Sequence, residues 1–144
     1  MPRSLDRRRF VALTASAFVA GATGGCASIQ TVPVTPADGR VHLSIRNYPQ
    51  LSAPGGHLRV QPNGIPSSVL VMRLEDGDYA ALSSICTHLE CVVNVEGPRI
   101  VCPCHGSEFD REGSLLEGPA ERPLTRYPTM IEGGVLVIDL TTTT

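Results

Sequence analysis

The stretch CTHLECVVNVEGPRIVCPCHGS, residues 86–107, holds four of the five cysteines and two of the four histidines of a 144-residue chain. It divides into two short loops, CTHLEC (86–91) and CPCHGS (102–107), joined by β-type residues around the turn signal Glu96-Gly97-Pro98. Each loop supplies one Cys–His pair, Cys86 with His88 and Cys102 with His105, and one further cysteine, Cys91 or Cys104. Thiolate and imidazole are soft-to-borderline metal ligands, and a Cys₂His₂ set holds either zinc or a 2Fe–2S centre. Structural zinc usually takes paired C-x₂₋₄-C and H-x₃₋₅-H units. Here the pairs are mixed, which suits a binuclear centre whose two irons take different ligands.

The flanks of these loops set the fold class. Residues 68–74 and 79–85 bracket Asp76-Gly77, a hairpin signal, and the second run leads straight into Cys86. Residues 92–95 and 99–102 form a second predicted hairpin, and residues 125–131 and 135–140 a third across Glu132-Gly133-Gly134. Residues 41–46 and 58–61 alternate apolar and polar, as half-buried strands do. No helical period runs through residues 41–144. The expectation is an all-β, antiparallel sandwich with a small inserted lobe that carries the two loops. Composition agrees: 14 Gly and 12 Pro favour many turns, and with no Trp and 4% aromatics the core must rest on Val, Ile and Leu.

Ahead of this domain the chain changes character. Residues 1–25 carry four Arg against one Asp, and Arg7-Arg8-Arg9-Phe10-Val11 fits a twin-arginine export pattern. The apolar run that follows is Ala-rich, short of the ~20 strongly apolar residues of a confident membrane span. Thr23-Gly24-Gly25-Cys26 is similar to a bacterial lipobox, although Thr23 stands where Leu is usual, so Cys26 is a candidate lipidation site. Residues 26–40 read as a Pro- and Thr-rich linker. The expected division is therefore 1–25 signal or anchor, 26–40 linker, and 41–144 folded domain. Beyond residue 25 there are eight Arg against thirteen acidic residues and no Lys anywhere. Such a body lacks the basic stripe that phosphates require, which argues against nucleic acid as a partner.

The two loops, taken with Glu108, Phe109 and Asp110 after the second, resemble the paired boxes of Rieske iron–sulfur proteins, in particular the high-potential proteins of quinol-oxidising cytochrome bc-type complexes. The resemblance implies a 2Fe–2S cluster with Cys86 and Cys102 on one iron and His88 and His105 on the other. It also implies a disulfide between Cys91 and Cys104, which needs an oxidising compartment and so agrees with export to the periplasmic side. Gly118-Pro119-Ala120-Glu121-Arg122-Pro123-Leu124 is similar to the family's proline loop. Ser107 matches a serine that bonds a bridging sulfide. Two positions depart from the pattern: Phe109 stands where high-potential members carry Tyr, and Glu90 where Gly is usual. Both departures imply a lower potential, because hydrogen bonds to the sulfurs raise it and a nearby carboxylate lowers it.

What the resemblance implies about function is an electron carrier rather than an enzyme on its own. Its place would be the iron–sulfur subunit of a membrane-tethered quinol:cytochrome c reductase, or a stand-alone relative. The implied partners are a cytochrome b-type subunit, a cytochrome c or similar acceptor, and quinol as donor. Two alternatives stand beside it: the small Rieske subunit of a periplasmic molybdenum oxidase of the arsenite oxidase type, paired with a molybdopterin subunit, and a zinc-stabilised binding module. A cytoplasmic dioxygenase ferredoxin fits the export signal poorly.

Overall fold

The computed structural model describes residues 28–144. The twin-arginine segment and Cys26 lie outside the described residues. Twelve strands follow in order: β1 Thr31–Val34, β2 Arg40–Ser44, β3 His57–Pro62, β4 Val69–Arg73, β5 Tyr79–Ser83, β6 Asn94–Glu96, β7 Arg99–Val101, β8 Glu108–Phe109, β9 Leu115–Glu117, β10 Arg126–Tyr127, β11 Thr129–Glu132 and β12 Val135–Asp139. They form three sheets, ordered β1-β3-β4-β5-β10, β11-β12-β2 and β6-β7-β8-β9. Among the described residues the only helical elements are two short 3₁₀ turns, Ile45–Asn47 and Pro49–Leu51.

The five-stranded sheet lies between two cores, and side-chain alternation explains how. On β4, Val69 and Val71 join Leu58, Val60, Tyr79, Ala81, Val41, Leu43, Leu136 and Ile138 in the core shared with the three-stranded sheet. The intervening Leu70 and Met72 join Ala80 and Leu82 beneath the third sheet, where Val93, Ile100, Phe109, Ala120 and Leu124 pack on them. Successive side chains on a strand point to opposite faces, so one strand serves both layers. The base is thus a two-sheet sandwich. The four-stranded sheet, inserted between β5 and β10 in the chain, is the lobe that carries the loops.

The hairpins expected around Asp76-Gly77, Glu96-Gly97-Pro98 and Glu132-Gly133-Gly134 are all present, as β4–β5, β6–β7 and β11–β12. Two expectations from the sequence need correction. Residues 31–34, placed in the linker, form β1, which pairs in parallel with β3 from Thr31↔Arg59 to Val34↔Pro62. Among the described residues this parallel pairing is the one exception to an otherwise antiparallel scaffold. Pro33 fits there because an edge strand leaves one side free of ladder bonds. Residues 125–131 are two strands rather than one. Arg126–Tyr127 pairs with β5 in the central sheet, and Thr129–Glu132 crosses to β12 in the other. Pro128 sits between them, where its missing N–H costs no ladder bond.

Candidate metal centre

The first loop grows out of β5. After Ser83 the chain keeps pairing for two more residues through an Ile85↔Val92 bridge and the bond Val93 N–H to Ser84 O (2.9 Å). It then closes a turn in which Cys86 N–H bonds Cys91 O (2.8 Å) and Glu90 N–H bonds Cys86 O (3.0 Å). The second loop joins β7 to β8, closed by Cys102 N–H to Ser107 O (2.8 Å) and Gly106 N–H to Cys102 O (3.0 Å). Cys91 and Cys104 form a disulfide between the loops, with their Cα atoms 6.4 Å apart.

Cys86 and Cys102 are buried and unbridged. Burial pushes the Cys86 thiol up from its ordinary value, and the neighbouring Cys102 thiol pushes it further. The nearby His88 backbone N–H and Ser107 hydroxyl oppose that shift. Two buried thiols side by side cannot both ionise without a cation between them. The His88 and His105 rings stand edge to face with centroids 4.8 Å apart. His88 Nδ1 is buried with no hydrogen-bond partner among the described residues, while His105 lies exposed at the tip. An orphaned imidazole nitrogen in one loop and a free buried thiol in each are donors that lack an acceptor. A thiolate- and imidazole-binding metal group fits them.

The sulfurs of Cys91, Cys102 and Cys104 lie within 4.8 Å of one another. The first and third are bonded to each other, which removes them as ligands and leaves Cys102. The disulfide therefore packs against the free Cys102 thiol.

Residues 118–124 lock onto both loops. Gly118 has φ +104°, and a Cβ there would lie 2.5 Å from Ser107 Cα, so only glycine allows this approach to the second loop. Ala120 N–H donates to Ser107 Oγ (3.1 Å), and the Thr87 hydroxyl donates to Arg122 O (2.7 Å) in the first loop. Pro119 and Pro123 stiffen the segment that carries these anchors. Ser107 is fully buried, as is Phe109, which packs within the lobe core beside Cys102 and brings no hydroxyl to it. Glu90 is exposed and adopts φ +59°, a conformation in which glycine is unstrained. Sequence reasoning missed Thr87, whose position between Cys86 and His88 was the available signal. It also missed Arg59, whose Nη2 donates to Val93 O (2.6 Å) and for which the sequence carried no signal.

The class that these features define is a small β protein with a candidate metal centre between two cross-linked loops of an inserted lobe. The family model for the Rieske [2Fe-2S] domain matches residues 45–128. The chain belongs to that family, whose members bind a 2Fe–2S cluster. It is 31% identical over 134 residues to the cytochrome b6-f complex iron-sulfur subunit of Synechococcus elongatus, covering 81% of this chain and 73% of that one. It is 39% identical over 66 residues to the subunit of the same name from Chlorobaculum tepidum, covering 44% of this chain but only 36% of that one. The chain thus spans well under half the length of several of its curated relatives. In structure it is similar to the plasma membrane Rieske protein PetC3 of Synechocystis PCC 6803, with TM-score 0.51 and 36% identity over 58% of this chain and 85% of that one.

Proposed function

We propose that this chain carries electrons as the iron–sulfur subunit of a quinol:cytochrome c reductase, or as a stand-alone relative, on the outer face of a bacterial membrane. The observation that carries the reading is the donor set: two buried free thiols and two facing imidazoles, one with an unpartnered buried Nδ1 and the other exposed at the tip. Cys86 and Cys102 would hold one iron, and His88 and His105 the other. A 2Fe–2S group held this way accepts and donates one electron, at about −150 to +300 mV across the family.

The remaining roles fall to the chain itself. Cys86 and Cys102, buried in the lobe core, keep their end of the centre dry. His105, exposed, offers an edge through which an electron and a proton can be exchanged with a quinol or a cytochrome. The disulfide and the 118–124 loop hold the two halves in place. Ser107, buried beside the second loop's cysteine turn, would supply a hydrogen bond that raises the potential, while Phe109 cannot supply a second and Glu90 adds negative charge nearby. The domain, whose first strand begins at Thr31, is then tethered by the residues before it, with a lipid on Cys26 or the retained leader as anchor. Among the described residues no helix is long and apolar enough to cross a membrane.

Iron and acid-labile sulfide analysis together with an EPR spectrum of the reduced protein tests the centre. Equimolar iron and sulfide with a Rieske-type spectrum is expected, and zinc without sulfide would overturn it. Redox titration of Phe109→Tyr tests the tuning: the midpoint should rise, and no rise counts against the assigned role of position 109.

A further inference from the structure

We infer that Arg59 is a positioning residue for the iron–sulfur centre: its part-buried guanidinium fixes the return strand of the first loop and holds the centre's potential up. The inference rests on the reading of that site as a 2Fe–2S centre.

On β3, Leu58 and Val60 point into the base core, so Arg59 between them emerges on the opposite face, the one covered by the lobe. Across the sheet it is in register with Leu70, and Leu70 with Leu82, both of which lie in the lobe core. From there the side chain reaches up and donates from Nη2 to Val93 O at 2.6 Å. Val93 is fully buried, and its own N–H bonds Ser84 O. The Val93 residue is therefore held from both sides, two residues after Cys91 and opposite a residue two before Cys86. Two residues of extended chain span about 7 Å, so the cation sits close beneath the first loop.

The charge has no evident partner of its own. The ion pairs among the described residues are Arg40–Asp139, Arg99–Glu108 and Arg111–Glu75, and none includes Arg59. Its Nε is buried without a hydrogen-bond partner, and burial lowers the guanidinium from its ordinary value. A part-buried cation with no counter-charge is costly unless something nearby compensates it. Two ferric ions, two sulfides, two thiolates and two neutral imidazoles carry no net charge together, and one added electron makes the set anionic. A fixed cation in the lobe therefore stabilises the reduced form more than the oxidised one, in a medium where screening by salt is weak. This opposes the lowering expected from Phe109 and Glu90.

The test uses the full chain with its centre loaded, and three variants: Arg59→Met, Arg59→Gln and Arg59→Lys. An EPR signal from the reduced wild type comes first, since its absence would refute the 2Fe–2S reading itself. Potentiometric titration then reads the inference. Poised at the wild-type midpoint, Arg59→Met should show an oxidised-to-reduced ratio raised about threefold or more, which is about 28 mV at 59 mV per tenfold for one electron. Arg59→Lys should recover most of that shift, with g-values unchanged in both. An unshifted midpoint in Arg59→Met overturns the inference, and so does a shift in Arg59→Lys equal to that in Arg59→Met. If Arg59→Met does not hold iron, Arg59→Gln against Arg59→Lys decides on the same criterion, and equal midpoints overturn it.

Discussion

Cys86–Cys91 and Cys102–Ser107 are the same backbone turn with different side chains on it. In each, the N–H of the first cysteine bonds the carbonyl five residues on, and the N–H four residues on bonds back to the cysteine carbonyl. In each, that fifth residue is left-handed, Glu90 at φ +59° and Gly106 at φ +75°. The first position is a buried free cysteine in both. Beyond it the loops diverge. The histidine stands third in one loop and fourth in the other. The bridged cysteine stands sixth in the first loop, as Cys91, and third in the second, as Cys104. The sixth residue of the second loop is Ser107, whose hydroxyl oxygen accepts from the Ala120 N–H rather than being a bridged sulfur. A common frame thus fixes the thiols. The variable positions decide which loop provides the cross-link and which provides the hydrogen bond.

The largest effect should come from removing the cross-link between the turns. In the chain-entropy model a loop of this size is worth about 3 kcal/mol. Cys104→Ser should therefore lose bound iron on isolation while far-UV circular dichroism shows the base sandwich still folded. Full iron retention in that variant would mean that the frame alone holds the turns together. Next comes Ser107→Ala, which leaves the buried Ala120 N–H without its acceptor at a cost of about 1–3 kcal/mol and removes the hydroxyl proposed to raise the potential. Thermal unfolding should shift down and the midpoint potential should fall; a stability loss with an unchanged potential would assign Ser107 to the scaffold only.

The fifth positions allow the most direct comparison. Around Gly106 nothing lies within 4 Å of an added Cβ, so Gly106→Ala should cost about 1 kcal/mol from its backbone conformation alone, read as a lower denaturation midpoint. The smallest expected effect is the reverse change in the other turn. Glu90→Gly should stabilise by up to about 1 kcal/mol and raise the potential slightly. If Glu90→Gly destabilises instead, the carboxylate has a favourable role at that turn that outweighs its backbone strain.

Much of this was legible in the sequence because the informative residues are local. Asp76-Gly77 and Glu96-Gly97-Pro98 announce their own hairpins, and each loop writes its Cys–His pair within four residues. What stayed hidden depends on neighbours distant in the chain. β1 is four residues long with Pro33 inside it, and only the edge of β3 makes it a strand. The break at Pro128 separates two sheets that sequence periodicity merges into one run. The αL geometry of Glu90 is set by the closing bonds of its turn, and glutamate itself gives no hint of it. Arg59 reads as a polar residue in an alternating strand, and nothing nearby says that the chain returns 34 residues later to meet it.

The double-faced burial of β4 has a consequence for how the chain finds its alignment. Where one face of a strand is polar, a one-residue slip is punished at once, because it turns apolar groups into water. Val69, Leu70, Val71 and Met72 are all buried, so a slip would merely exchange the contents of two cores. Hydrophobicity is a poor index mark here. The Asp76 carboxylate, which accepts the Asp78 N–H at 2.9 Å inside the β4–β5 turn, supplies a better one. Because β5 runs on into Cys86, that small polar clasp at the far end of the hairpin calibrates where the first thiol arrives.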